Sequence, residues 1–163
     1  MTAELVNTAT GEAVSMEPLA RAERMLAEIA STEDALNVID FAEAARVYAQ
    51  RAKLGTSAVN HATVVKIGAE RRLADMVDAG QKAGTIAEKG GRRNARPPGI
   101  STLGEIGIDS RRLAEARLLR DAITEEELVK QAAEADARDR ELSRKELVKT
   151  AARNKRQKIK RER

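Results

Sequence analysis

The sequence predicts an all-α protein, on three observations. Aromatic residues number two, Phe41 and Tyr48, while alanine, leucine, glutamate and arginine dominate the 163 residues; strands draw on β-branched and aromatic side chains, helices on these others. Apolar residues recur in steps of three and four, the period of a helix face. Gly, Pro, Ser and Thr punctuate the ends of those stripes, as stop and start signals do.

Residues 1–14 carry no period and read as a disordered N-terminus. A first helix opens after Ser15, with Pro18 tolerated in its first turn. Leu19, Ala22, Leu26 and Ile29 form its stripe. Ser31 and Thr32 open the next helix, from about Glu33 to Ala52, with Glu33 and Asp34 suited to its N-terminal dipole. Ala35, Val38, Ala42, Ala45, Ala49 and Ala52 make a seam of small residues, which places this helix in the middle of the N-terminal unit. A third helix runs from Thr56 or Ser57 to Ala79 with Gly80 just past its end. Its stripe is Ala62, Val65, Ala69, Leu73 and Met76. Residues 15–79 are therefore a three-helix antiparallel unit or a helical arm. The small-residue seam is equally consistent with a homodimer through these helices. Alanine buries little area, at ~25 cal/mol per Å², so the core is expected to be modest.

Residues 80–99 read as a flexible basic linker, because five glycines and two prolines oppose regular helix. Its charge reads either as a solvated tether or as an arm lying on phosphates. Residues 100–152 form the last helical unit. Within it, Ser101 to Leu119 reads as short helix, glycine turn, second helix, the order of a helix-turn-helix. Gly107 makes the turn, Ile108 plugs the space between helices, and Asp109 caps the second helix. Leu113 and Ala116 face Leu103 and Ile106, leaving Ser110, Arg111, Arg112, Glu115 and Arg117 outward. A plain αα-corner is the alternative. Thr124 with Glu127, and Ser143 with Glu146, form two capping boxes for two further helices. Residues 153–163 read as a disordered or ligand-ordered basic tail.

Charge is unevenly distributed. The chain has a net +4, but the local values are −4 over residues 1–79, +4 over 80–99, −2 over 100–152 and +6 over 153–163. Basic segments flanking a helical unit are the electrostatic footprint of polyanion binding. There is no cysteine, which excludes disulfide frameworks and thiolate metal sites. No apolar run approaches the roughly 18 residues of a membrane span, and the first residues lack secretory-signal features. The expected location is the cytoplasm.

Nothing points to catalysis. His61 lies one position off its helix stripe, with Glu70 its nearest carboxylate in sequence, and reads as a packed or surface side chain. No P-loop, nucleophile elbow, H-E-x-x-H or EF-hand pattern is present. The expectation is a protein that is not an enzyme, with no catalytic residue, no metal ligand, no cofactor and no small-molecule substrate.

The motifs AERRLADM (Ala69–Met76), TLGEIGI (Thr102–Ile108), DSRRLAEARLL and TEEELVKQAAEA are similar to segments of small helical proteins of bacteriophages, prophages and plasmids. The likeness covers roughly residues 33–150, and its helix-turn-helix part loosely resembles ParB/KorB-type partition and repressor proteins. The resemblance implies a mobile-element setting, in a bacterial host cell if phage-encoded, and contact with nucleic acid. The chain departs from it by carrying Ala114 and Leu118 where a recognition helix offers polar readers. Phosphate contacts need only Arg, Lys and helix N-termini.

Together these readings predict a nucleic-acid-binding regulatory or accessory protein, with DNA favoured over RNA. Ser110, Arg111, Arg112 and Arg117 are the candidate base or phosphate contacts. Arg92, Arg93, Arg96, Arg153, Lys155, Arg156, Lys158, Lys160 and Arg161 are the candidate phosphate contacts. The rival expectation is a helical interaction or adaptor protein whose basic tail aids solubility or docks an acidic partner.

Overall fold

A computed structural model describes residues 4–6, 13–88 and 97–162. The fold is helical, with six helices among these residues: α1 (Glu17–Ala27), α2 (Thr32–Arg51), α3 (Thr56–Ala83), α4 (Ser110–Ala122), α5 (Glu125–Ala137) and α6 (Arg144–Arg161). At the N-terminus, β1 (Glu4–Val6) pairs antiparallel with β2 (Ala13–Ser15), Leu5 opposite Val14. The sequence reading expects no structure there. No described helix is long and apolar enough to cross a membrane.

The chain is built around α3, about 42 Å long at 1.5 Å per residue. Each of the three apolar clusters includes part of it. Val65, Ala69, Leu73, Ala74 and Val77 pack with α1, α2 and the start of α4. Ala58, Val59 and Ala62 meet Leu19 of α1 and Ala45 and Ala49 of α2. Ile67, on the opposite side, joins Leu119, Ile123, Leu128, Leu142, Leu147 and Ala151 of the C-terminal helices. The central helix of the whole chain is thus α3, while within residues 15–79 α2 packs against both α1 and α3. An apolar stripe reveals one packed face, whereas α3 is covered on several sides.

That burial removes the argument for a dimer through the alanine seam. Ala35, Val38, Ala42, Ala45 and Ala49 are all buried within this single chain, with α3 as the principal neighbour of α2. Small side chains bring α2 and α3 close together and leave no small-residue face for a second copy.

Helix ends follow local chemistry. Ser31 caps α2 by accepting from the Asp34 N–H at 3.0 Å, Asp109 caps α4 through the Arg112 N–H at 2.8 Å, and Thr124 caps α5 through the Glu127 N–H at 3.1 Å. Ser143 precedes α6 without a side-chain cap, and the carboxylate of its expected box partner, Glu146, pairs instead with Arg140 at 3.1 Å. Helix α3 continues four residues beyond its expected end, to Ala83, and stops at Gly84 in the left-handed region at φ 76°. Gly80 sits inside the helix and leaves room for Ile86 to fold back over it. A Cβ there would stand 2.6 Å from Ile86 Cδ1. The supposed linker is therefore tied down at both edges: Ile86 is buried, and Ala87 N–H donates to Ser101 O at 2.9 Å.

The expected first helix of the helix-turn-helix is a single turn. Thr102 and Glu105 bond reciprocally, Thr102 N–H to Glu105 Oε2 at 2.8 Å and Glu105 N–H to Thr102 Oγ1 at 3.2 Å. Gly107, at φ 82°, then closes it, with Ile108 N–H on Leu103 O at 2.8 Å and Gly107 N–H on Gly104 O at 3.2 Å. A start signal and a stop signal five residues apart leave no room for more. We expect Gly107→Ala to cost about 1–2 kcal/mol, the penalty for a Cβ in the left-handed region. Chemical denaturation reads it, and an unchanged midpoint would refute the strain.

Candidate nucleic-acid interface

Two surfaces carry the cationic residues singled out by sequence. The first is the N-terminus of α4. Ser110, Arg111 and Arg112 are exposed there, and free N–H groups of a first turn favour anions. The surroundings oppose this. Arg111 lies 3.4 Å from Glu115, and Arg112 lies 3.6 Å from Glu70, which is 1% exposed. Glu70 also takes Arg144 Nε at 2.9 Å, and Arg144 reaches Glu115 at 2.6 Å. A cleft of about 520 Å³ is lined by Lys66, Arg111, Arg112 and Arg144 with Asp40, Glu43, Glu70, Asp109 and Glu115. Cations and carboxylates are closely balanced in it.

Arg117 is half-buried and bonded within the chain. Its Nε donates to Asp78 Oδ1 at 2.8 Å, its Nη2 pairs with the same carboxylate, and the Nη2 donates to Gln81 Oε1 at 2.8 Å. Arg120 adds Asp75 at 3.0 Å and Asp78 at 2.7 Å. The sequence reading sets Arg117 on the outer face. Positions 113, 117 and 120 share a face with Ala116 at steps of four and three, and that face lies on α3. Arg71 of α3 completes the contact: its Nη2 donates to Ile123 O at 2.6 Å, at the carbonyl end of α4. Burial pushes the Arg71 guanidinium pKa below its usual value, against the pull of Glu125 and Glu127. These arginines hold the two helical units together.

The second surface is α6. The basic tail, expected to be disordered or ligand-ordered, is as far as Arg161 part of a continuous helix that begins at Arg144. Residues 151–161 contain no Gly or Pro and are rich in Ala, Arg, Lys and Gln, all good helix formers. Lys158, Lys160 and Arg161 fall in the last turn, where cations suit the dipole. Leu147 and Ala151 are buried, and Asn154 donates to Ala122 O at 3.0 Å, anchoring α6 to the end of α4. Beyond that point Arg153, Lys155, Arg156, Lys158, Lys160 and Arg161 are exposed. No ion pair holds any of these six among the described residues. Arg92, Arg93 and Arg96 lie outside the described residues.

Two cations that belong with them escape a sequence reading that ends the helical unit at residue 152. Lys145 and Lys149 are exposed on the same helix. The spacing of 145, 149, 153, 156 and 160, at four, four, three and four, is the available signal.

His61 is partly exposed and sits 2.9 Å from Glu23 of α1, a partner distant in sequence. Glu43 lies at the edge of the α4 cleft. The Arg46 side chain bonded to it, with Lys66 at 2.8 Å, holds its carboxyl from an ordinary 4.5 down to about 2, against a desolvation cost. A depressed carboxylate pKa contributes stability that is complete above about pH 4.5 and lost as pH falls through about 2. The thermal midpoint is therefore expected to decline across that window, and Glu43→Gln to flatten the decline. Parallel pH curves for the two proteins would remove Glu43 from the account.

The chain matches no protein-family model, no curated protein and no solved structure.

Proposed function

We propose that this protein binds nucleic acid, duplex DNA first, as a regulatory or accessory factor of a phage or other mobile element. The observation that carries the proposal is the cationic second half of α6. Six exposed side chains there lack an internal partner among the described residues, so their charge is available to phosphates. Cations elsewhere, at Arg117, Arg120 and Arg144, are spent on carboxylates of the same chain. Neutralising phosphates releases condensed counterions, which supplies most non-specific affinity.

Ser110, Arg111 and Arg112 at the start of α4 are a second contact, giving orientation and any base readout in the manner of a helix-turn-helix. Residues near a recognition helix N-terminus reach base edges in that geometry. The mobile-element setting rests on the sequence resemblance, and the basic segment with Arg92, Arg93 and Arg96 adds charge.

Fluorescence anisotropy of the intact chain against a random duplex, and against fragments of its genomic neighbourhood, tests the reading across a salt series. Six phosphate contacts predict a log–log salt slope near −5, at about −0.9 per contact. One preferred fragment would make the protein a site-specific regulator, and equal binding a backbone binder. Absence of binding near physiological salt would overturn the proposal in favour of a protein-interaction role.

A further inference from the structure

We infer that the docking surface is a one-faced track along α6, made by Lys145, Lys149, Arg153, Arg156 and Lys160, and that it takes the phosphate backbone of duplex DNA. The inference rests on the nucleic-acid reading and deepens it. It replaces a charged tail with a defined face of a packed helix.

The geometry begins with the buried side of α6. Leu147 and Ala151 are buried and Asn154 is bonded to α4 and α5. At about 100° per residue, the five cations fall on the side away from these three. All five are exposed. From Lys145 to Lys160 the face runs about 22 Å at 1.5 Å per residue. One strand of a duplex presents a phosphate per 3.4 Å of axis, so about six phosphates lie along that length. Carboxylates border the face at Arg153, which lines a cleft with Glu127, Glu134 and Glu146; of these, Glu146 is held by Arg140 at 3.1 Å.

Lys155 and Lys158 belong to the other side of the helix. They line a cleft with Asp121 and Ala122 at the end of α4. They carry the same charge as Lys145 and Lys149 but face a different direction. A flexible tail would make no such distinction, and would weight the terminal pair more heavily.

Duplex is favoured over single strand because α6 carries no aromatic side chain for bases to stack on. Single-strand binders stack bases on aromatic side chains. This chain has one Phe and one Tyr, both on α2, and the Phe41 ring is covered by Arg21 at 5.1 Å.

The test compares two full-length double variants of equal charge, Lys145→Ala with Lys149→Ala and Lys155→Ala with Lys158→Ala. Anisotropy against a random duplex is read across salt, with circular dichroism checking the helix content of each. The first variant is expected to bind about 30-fold more weakly near 0.15 M salt and to lose about 1.8 from the salt slope. The second is expected to lose no more than about threefold. Equal losses, or a greater loss at Lys155 and Lys158, would overturn the track while leaving nucleic-acid binding in place. Single-stranded DNA of the same length binding as tightly as duplex would overturn the choice of occupant. An intact protein that binds neither would remove the nucleic-acid reading together with the track.

Discussion

Asn60→Ala is expected to lower the unfolding free energy by about 3 kcal/mol, more than any surface change in this chain. Asn60 is fully buried on α3. Its Nδ2 donates to Asp136 Oδ1 at 2.6 Å and to Arg140 O at 2.9 Å, and its Oδ1 accepts the Leu142 N–H. One side chain thereby fixes the connection between α5 and α6, whose Asp139 sits in the left-handed region at φ 49°. Thr56 on Asp139 and Ser57 on Asp136 fasten the same segment to the start of α3. Truncation leaves the Leu142 N–H and the Arg140 carbonyl without that partner. A buried polar group left unsatisfied costs about 1–3 kcal/mol. The urea midpoint should fall with little change in slope, and the Leu142 amide should exchange faster. A loss under about 1 kcal/mol would show that the segment holds its place without Asn60. Asn60→Asp keeps the acceptor for Leu142 but sets a carboxylate against Asp136. It is expected to be no better, and to worsen as pH rises.

The triple variant Arg153→Ala, Arg156→Ala, Lys160→Ala is expected to bind duplex DNA about 10²-fold more weakly near 0.15 M salt. Each lost phosphate contact removes about 0.9 from the salt slope, so the slope should shrink by about 2.7. Stability should barely move, because all three side chains are exposed and without an internal ion pair among the described residues. Arg117→Ala is the control. Its charge is bound to Asp78 and Gln81 between α3 and α4, so it should reduce stability and leave affinity nearly unchanged. The opposite pattern, with affinity lost at Arg117 and kept in the triple variant, would move the contact surface from α6 to α4.

What the sequence by itself determines here is local. Composition predicts helices, and three- and four-residue spacing locates them. Ser31, Asp109, Thr124 and Gly107 name their own caps and turn, because capping is settled by side-chain and backbone groups a few residues apart. The buried alanines of α2 and the apolar plug at Ile108 are legible for the same reason.

Which partner each face meets was decided by tertiary structure. Ala35 to Ala49 read as a small-residue seam, but nothing local says that α3, rather than a second copy, fills it. Arg117 and Arg111 look alike in sequence. One meets Asp78, 39 residues away, and the other is 87% exposed, because the docking of α4 on α3 sets which face is covered. His61 finds Glu23 and Arg71 finds Ile123 O across similar gaps. The cationic end of α6 shows the converse: charge density argues for disorder, yet Asn154 and Ala151 anchor the helix and let its good helix formers propagate. Helix growth is cheap once a turn is nucleated, and packing supplied the nucleus. That packing gives Arg153, Arg156 and Lys160 a shared face with Lys145 and Lys149.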